Sequence, residues 1–406
     1  MISKAAILER ANEWQLTADV VEKDYVLGWL LAGIALGNEL GTTWVFKGGT
    51  CLKKCILETY RFSEDLDFTL LPDARYTESE IADLLGDLAN RVNEQSGIQF
   101  PASEITVRAR RDLSGQPTFE ARIGYVGPMA IPGPPKIRFD ITRNEPLLRP
   151  AELFSVVHPY PDQLPSDVRV RCYSVPELVA EKTRALFERT RPRDLYDVVL
   201  LGGEAPSAGD AAKLRALAIE KFAVKHLPLP SVADLVRTVT AFSELRSEWN
   251  NMLGHQLPAT PPVEDFLGRL PAAIAWLDQV QTRPVMAATR LPSVGGEAGE
   301  ALVAPHGIRL WGGGSPLEAA RFAGVSHLLI QFAYRGARRT VEPYSLRRPS
   351  TGNLLLYGYE QTKNGIPTND IRAYKVAEID SLRVLNQSFR PRYAIELSEQ
   401  AGVWRW

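Results

Sequence analysis

Apolar residues recur at helical spacing through the first 40 positions. Ala5, Ile7, Leu8 and Ala11 begin the pattern, and Val20, Val21, Tyr25, Leu27, Trp29 and Leu30 continue one apolar face. The period then changes. Residues 42–46 are a β-rich run, stopped by Lys47-Gly48-Gly49-Thr50. Helical spacing resumes through Cys51, Leu52, Cys55, Ile56 and Tyr60, and residues 65–70 alternate polar and apolar, as a half-buried strand does. Residues 105–110, 118–125 and 136–141 read as further strands. From 175 to about 280 the pattern is mainly helical, broken at prolines 228–230 and 258–262. Glycine-rich residues 282–314 read as a linker. A short helix over 316–323 follows, then strands at 328–334, 338–342, 354–359, 371–376 and 392–397. The expected class is α+β: a core over 1–174, a helical lobe over 175–281, the linker, and a small β-rich unit over 315–406.

A length of 406 residues suits two or three domains, and 45% hydrophobic with 23% charged residues is an ordinary globular balance. The formal net charge of −1 excludes a wholly basic nucleic-acid binder. It conceals an asymmetry: residues 313–406 carry 13 Lys and Arg against 8 Asp and Glu, a net of +5, which leaves −6 for the rest. Any nucleic-acid contact is therefore expected first on the C-terminal unit and in local arginine clusters. Cys51, Cys55 and Cys172 are too few for a disulfide framework, and the five histidines show no metal-ligand spacing. The start of the chain has charges where a signal peptide needs an apolar stretch, and no apolar run of membrane-spanning length follows. The expectation is a soluble, cytoplasmic protein without membrane association.

Candidate chemistry concentrates in residues 46–70. A strand ends at Phe46, and Gly48-Gly49 permit a tight turn that a ligand can approach closely. A helix starting near Thr50 directs free N–H groups at that turn and favours an anion such as a triphosphate. Asp65 and Asp67, two apart on the next strand, project to one side. Carboxylates that close repel unless a cation lies between them, and a hard divalent ion, Mg²⁺ or Mn²⁺, suits oxygen ligands. Phosphate at the turn and metal on the adjacent strand together describe a nucleoside-triphosphate site.

Lys47-Gly48-Gly49-Thr50, Leu52, Lys53 and then Arg61-Phe62-Ser63-Glu64-Asp65-Leu66-Asp67-Phe68 resemble the nucleotidyltransferase AbiEii/AbiGii toxin family. That family is a branch of the polymerase-β-like nucleotidyltransferases and includes the MenT transfer-RNA-modifying toxins. The resemblance continues in 174–186 (Ser-Val-Pro-Glu-Leu-Val-Ala-Glu-Lys-Thr-Arg-Ala-Leu), Arg189 and Arg193-Asp194-Leu195-Tyr196-Asp197, and spans roughly residues 15–280. It implies transfer of a nucleoside monophosphate to an acceptor hydroxyl, an RNA and specifically a tRNA 3′ end. It also implies a cognate antitoxin within a toxin–antitoxin or phage-defence system. On this pattern Asp65 and Asp67 hold metal, Lys182 clamps phosphate, and Lys47, Gly48, Gly49, Thr50, Lys53, Arg61 and Ser63 surround the nucleotide. The third carboxylate is left between Asp197, in the family's own motif and ranked first, and Asp140, flanked by apolar strand residues. Asp194 and Asp197, three apart, share a helix face, so one can position the other or pair with Arg193. Arg108, Arg110, Arg111, Arg184, Arg189, Arg191 and Arg193 are candidate phosphate contacts for an acceptor.

Ile330-Gln331-Phe332-Ala333-Tyr334, residues 338–346, Leu355-Leu356-Tyr357-Gly358-Tyr359 and Ile371-Arg372-Ala373-Tyr374-Lys375-Val376 resemble a WYL domain, a small SH3/Sm-like barrel. The naming Trp-Tyr-Leu is replaced by Leu-Leu-Tyr-Gly-Tyr. The resemblance implies a nucleic-acid or nucleotide ligand, with Tyr334, Arg338, Arg339 and Arg372 as its candidate contacts. Two other functions fit the same residues: nucleotidylation of a protein or small molecule, and a nucleotide-responsive regulatory protein. The intact Asp-x-Asp pair weighs against the second.

Overall fold

The computed structural model of the chain describes residues 1–57, 61–111, 117–143, 145–202, 206–278, 289–294, 300–301, 317–349 and 352–397. It opens on α1 (Lys4–Trp14), capped by the Ser3 side chain, and the largely buried α2 (Ala18–Leu36). A single helical turn, α3 (Leu40–Thr43), takes the first residues of the expected strand, so β1 is Trp44–Lys47. The Gly-Gly-Thr segment begins α4 (Gly48–Cys51), which runs on as a π-helical turn, Leu52–Ile56. Leu57 is already extended, and Tyr60, where the helix was expected to end, lies outside the described residues. β2 (Asp65–Leu70) has the bounds its alternation predicts.

The helix α5 (Glu78–Ser96) is absent from the sequence expectation although its signals stand in the chain. Thr77 and Glu80 form a capping box, and Ile81, Leu85, Leu88 and Val92 recur on one buried face. β3 (Ile105–Arg111), β4 (Pro117–Gly124) and β5 (Lys136–Thr142) fall within a residue of expectation. β6 (Glu152–Ser155) and β7 (Arg169–Cys172) were not foreseen, because four residues are too few for alternation to stand out.

These strands make one mixed sheet in the order β3-β4-β5-β2-β1-β7-β6. β2 lies antiparallel to β1 and parallel to β5, so the two aspartates sit mid-sheet. Leu66, Phe68, Phe119, Ala121, Ile123, Ile137, Phe139 and Ile141 are buried in the core that also takes α2 and α5. By alternation the intervening residues face the other way, toward the site.

The expected helical lobe contains α6 (Val175–Arg189), α7 (Pro192–Leu201), α8 (Ala208–Ala223), α9 (Val232–Ala241), α10 (Ser243–Leu253) and α11 (Val263–Ala273). Both predicted proline breaks fall between helices, as the missing N–H and fixed φ of proline require.

In the C-terminal part, β8 (Glu300–Ala301) and α12 (Leu317–Val325) precede β9 (Leu328–Tyr334), β10 (Ala337–Arg348), β11 (Leu355–Lys363), β12 (Ile366–Lys375) and β13 (Ile379–Ser388). β10 outruns its expected end at 342, because Pro343 sits at a bulge rather than ending the strand. β13 escaped prediction because a register shift between Asp380 and Arg383, with Ser381 at φ 54°, breaks its alternation. The strand expected at 392–397 reduces to one bridge, Ser345 with Glu396. The path β12-β11-β10-β9-β13 is an antiparallel sheet with β8 beside β10. Its end strands, β12 and β13, do not pair with one another among the described residues. Of the expected linker 282–314, only 289–294 and 300–301 are described, and Leu291 is packed in a small core with Leu329, Tyr344, Tyr357 and Phe389. Among the described residues no helix is long and apolar enough to cross a membrane.

Candidate active site

The turn after β1 shows why two glycines stand there. Gly48 has φ +81°, and a Cβ on it would lie 2.1 Å from Oδ2 of Asp67. A Cβ on Gly49 would lie 2.7 Å from Nη2 of Arg61 and 3.0 Å from Oγ of Ser63. The backbone of the turn is therefore pressed against the Asp67 carboxylate on one side and the Arg61–Ser63 segment on the other. The Thr50 hydroxyl donates to the Asp65 carbonyl and ties the turn to β2.

Strand pairing sets the charges in rows. Lys47, Asp67 and Asp140 are register partners across β1, β2 and β5, and Asp65 faces Arg138. Asp140 is thus directly beside Asp67, and its half-exposed carboxylate meets the Arg138 guanidinium at 2.9 Å. Burial pushes the Asp67 carboxyl up to about 6. Lys47 and Lys182 oppose this, and Asp140 and Asp65 reinforce it. Burial also raises Asp65, against the pull of Arg138 and with a push from Asp140. Two clustered carboxylates resisting ionisation are what a cation site looks like before its ion is considered. Among the described residues no three His, Cys, Asp or Glu side chains are grouped so as to hold a metal ion, so Asp65 and Asp67 could hold one only together with oxygens from elsewhere.

The other predicted residues divide by where they point. Asp197, on α7, is fully buried and doubly held. Arg61 grips it in bidentate fashion at 2.8 and 2.9 Å, and Lys182 of α6 meets it at 2.7 Å. Those cations hold its carboxyl well below the usual range despite burial. Arg61 is buried as well, and its Nη1 donates to Gln256 at 2.9 Å. Arg61 and Asp197 thus form a buried ion pair beside the turn, while strand register sets Asp140 directly next to Asp67. Lys182 keeps some exposure and lies close enough to Asp67 to act on its ionisation. Asp194 pairs with Arg189 at 2.7 and 2.9 Å, not with Arg193.

Lys47 is also buried. Its ammonium reaches Thr142 at 3.1 Å and pairs with Glu145. Burial alone would lower its pKa, but Glu145, Glu181 and Tyr173 raise it. Lys53 lies over the Phe62 ring, 4.3 Å from the centroid. Sequence reasoning missed Glu145 and Arg138, and assigned Arg193 only to the acceptor. Arg193 lies close enough to Asp65 and Glu64 to feel both charges, while its Nε donates to the Met252 carbonyl at 3.3 Å. Glu145 follows β5 in an irregular segment and gave no periodic signal.

Residues 29–277 match the sequence profile of the nucleotidyl transferase AbiEii toxin, type IV toxin–antitoxin system. The chain belongs to the AbiEii nucleotidyltransferase toxin family. It is a nucleotidyltransferase toxin of a type IV toxin–antitoxin system, for which a nucleoside triphosphate substrate and a cognate antitoxin follow. Nucleotidyltransferases of this kind generally use divalent metals. Among solved structures, MenT4, a nucleotidyltransferase toxin from Mycobacterium tuberculosis, is similar at 20% identity with a TM-score of 0.45. The match covers 70% of this chain and 91% of that one. No curated protein matches the chain.

The AbiEii match ends before the C-terminal sheet, where Tyr374 lies close enough to Arg339 and Arg372 for both to act on its ionisation. Arg339 pairs with the buried Glu360 at 2.8 Å, and Arg372 pairs with Asp370 at the exposed edge strand β12 at 2.9 Å. Arg338, next to Arg339 on β10, faces the opposite side of the sheet. Tyr334 is packed edge-on against Tyr374 at 5.0 Å.

Proposed function

We propose that this AbiEii toxin transfers a nucleoside monophosphate to the 3′ hydroxyl of an RNA, in particular a tRNA, and that the pair Asp65 and Asp67 holds the divalent cation. The observation that carries the reading is the in-register row Lys47–Asp67–Asp140 with the Gly48 backbone pressed onto Asp67, which brings phosphate cradle and carboxylates together. A Mg²⁺ or Mn²⁺ ion there would neutralise charge on the triphosphate. The backbone of Gly48 and Gly49 and the Ser63 hydroxyl line the phosphate side, with Lys182 as a less buried cation close to Asp67. Lys47, Thr50, Arg61 and Asp197 hold that geometry without touching substrate. Asp140 is positioned to take the proton of the attacking hydroxyl as its oxygen bonds to the α-phosphorus and the bond to the leaving pyrophosphate breaks. Positioning and charge neutralisation are the main sources of rate in such transfers.

The test is incubation with each labelled triphosphate and total RNA, with and without chelator. Label on RNA that disappears with EDTA and in Asp65→Ala and Asp67→Ala supports the reading. Label on protein or a small molecule but never on RNA refutes the acceptor, and transfer that persists in both variants refutes the site.

A further inference from the structure

We infer that the solvent-facing side of β3, β4 and β5 is the track along which a single-stranded nucleic-acid acceptor lays its phosphates on the way to Asp65 and Asp67. This rests on the RNA reading above and names the surface that serves it.

The argument begins with the register. One row runs Lys47–Asp67–Asp140–Glu120–Arg108 from β1 to the edge strand β3, and a second runs Asp65–Arg138–Arg122–Thr106. The first row ends in an exposed cation, and the second carries two cations side by side. With neighbouring strands about 4.8 Å apart, Arg122 stands about 10 Å and Arg108 about 15 Å from the aspartates. The other face of these strands is the buried core, so only this face is open.

What sets this surface apart is exchangeable positive charge in strand register with the two aspartates. Arg108 and Arg122 are exposed and have no ion-pair partner among the described residues. Arg110 shares Glu120, and Arg138 shares Asp140, in half-exposed pairs that a phosphate can exchange at little cost. In the C-terminal part, where net charge had directed attention, Arg338, Arg348, Arg383 and Arg390 are exposed without an ion pair among the described residues but stand in neither row, and other arginines are paired. Arg339 pairs with Glu360, Arg347 with Glu396, Arg335 with Glu378, Arg392 with Glu342 and Arg321 with Glu318. Uncommitted positive charge in register with the site fits a polyanion whose reactive end lies at Asp67. No aromatic side chain stands in either row, so the interaction is with backbone phosphate and is indifferent to base sequence.

The experiment compares the full-length protein with Arg108→Glu/Arg122→Glu, and with a milder Arg108→Gln/Arg122→Gln that guards against a folding defect. KM for RNA is read against salt concentration, with melting temperature and triphosphate affinity as controls. The expected result is a KM for RNA raised at least tenfold by charge reversal and less by neutralisation, with kcat nearly unchanged. The slope of log KM against log salt should fall by about two, one for each phosphate that no longer meets an arginine. Charge reversal of Arg383 and Arg390 on the C-terminal part should change neither. If wild type labels RNA and the double variants keep its KM and salt slope, the track is wrong while the RNA reading stands. If wild type labels no RNA, both fall together.

Discussion

Asp67 is held in a state that costs stability once it is ionised. Its carboxyl ionises at about 6, against 3.8 for an ordinary aspartate, with burial as the largest cause. The folded protein therefore binds more protons than the unfolded chain between those values, and Asp67's contribution to stability falls as pH rises through that window. The gap is worth up to about 3 kcal/mol once the carboxylate is charged. Asp67→Asn should then abolish transfer yet raise the melting temperature by a few degrees at pH 8. The gain should shrink toward zero as pH is lowered to about 4, where the native aspartate is itself neutral. A scan of melting temperature against pH for both proteins checks the sign. Asp197 shows the reverse case. Its carboxyl is held low by Arg61 and Lys182, so the stability it confers is present above the ordinary aspartate value and is lost as pH falls below it.

At the scale of elements, the site is a junction of a strand, a turn and the helix that follows. Gly48 supplies the left-handed backbone and the absent Cβ that let the turn meet Asp67. Gly48→Ala should cost about 1–3 kcal/mol from backbone strain alone and displace Asp67, with transfer abolished. Gly86, inside α5, is the matched control. A Cβ there meets nothing within 4 Å, so Gly86→Ala should stabilise by about 0.5–1 kcal/mol without changing activity. Denaturation midpoints and label transfer for the two variants separate a required glycine from an incidental one. α7 is bound into the site by Asp197, while its neighbouring Tyr196 stacks on Phe266 of α11 at 5.1 Å. The helical lobe thus fixes the brace that keeps Lys182 beside Asp67.

Across the whole molecule, the C-terminal sheet is built onto the transferase core. One continuous apolar cluster includes Ile7 and Trp14 at one end of the chain and Leu317, Ile330 and Leu382 at the other. Gln15, at the end of α1 with φ 55°, donates from Nε2 to the Leu382 carbonyl at 2.9 Å and accepts from the Val384 amide at 3.2 Å. Its side-chain amide thereby serves as a strand partner for β13. The described residues should unfold in a single calorimetric transition, and Gln15→Ala should lower stability by about 1–2 kcal/mol. It should also expose β13 to proteolysis ahead of the sheet around the site. Two separate transitions in the wild type would show that the shared core does not couple the parts.

Periodicity alone determined most of the element list, because alternation and helical spacing are local properties that burial rewards wherever they occur. It located β2 with its bounds, both proline breaks and the order of an α+β chain, and the motif residues identified the enzyme family. It failed where local signals are short or interrupted, at β6, β7 and the bulged β13, and it passed over the capping box of α5. Only the tertiary structure decided which partners like residues meet. Asp140 and Asp197 are both aspartates in apolar surroundings of the sequence. One is set beside Asp67 by strand register, and the other is neutralised by an arginine 136 positions away and by Lys182. The same holds for the arginines. Composition placed the surplus of positive charge in the last quarter of the chain, but strand register, which only the fold sets, is what aligns the exposed Arg108 and Arg122 with Asp67 and Asp65.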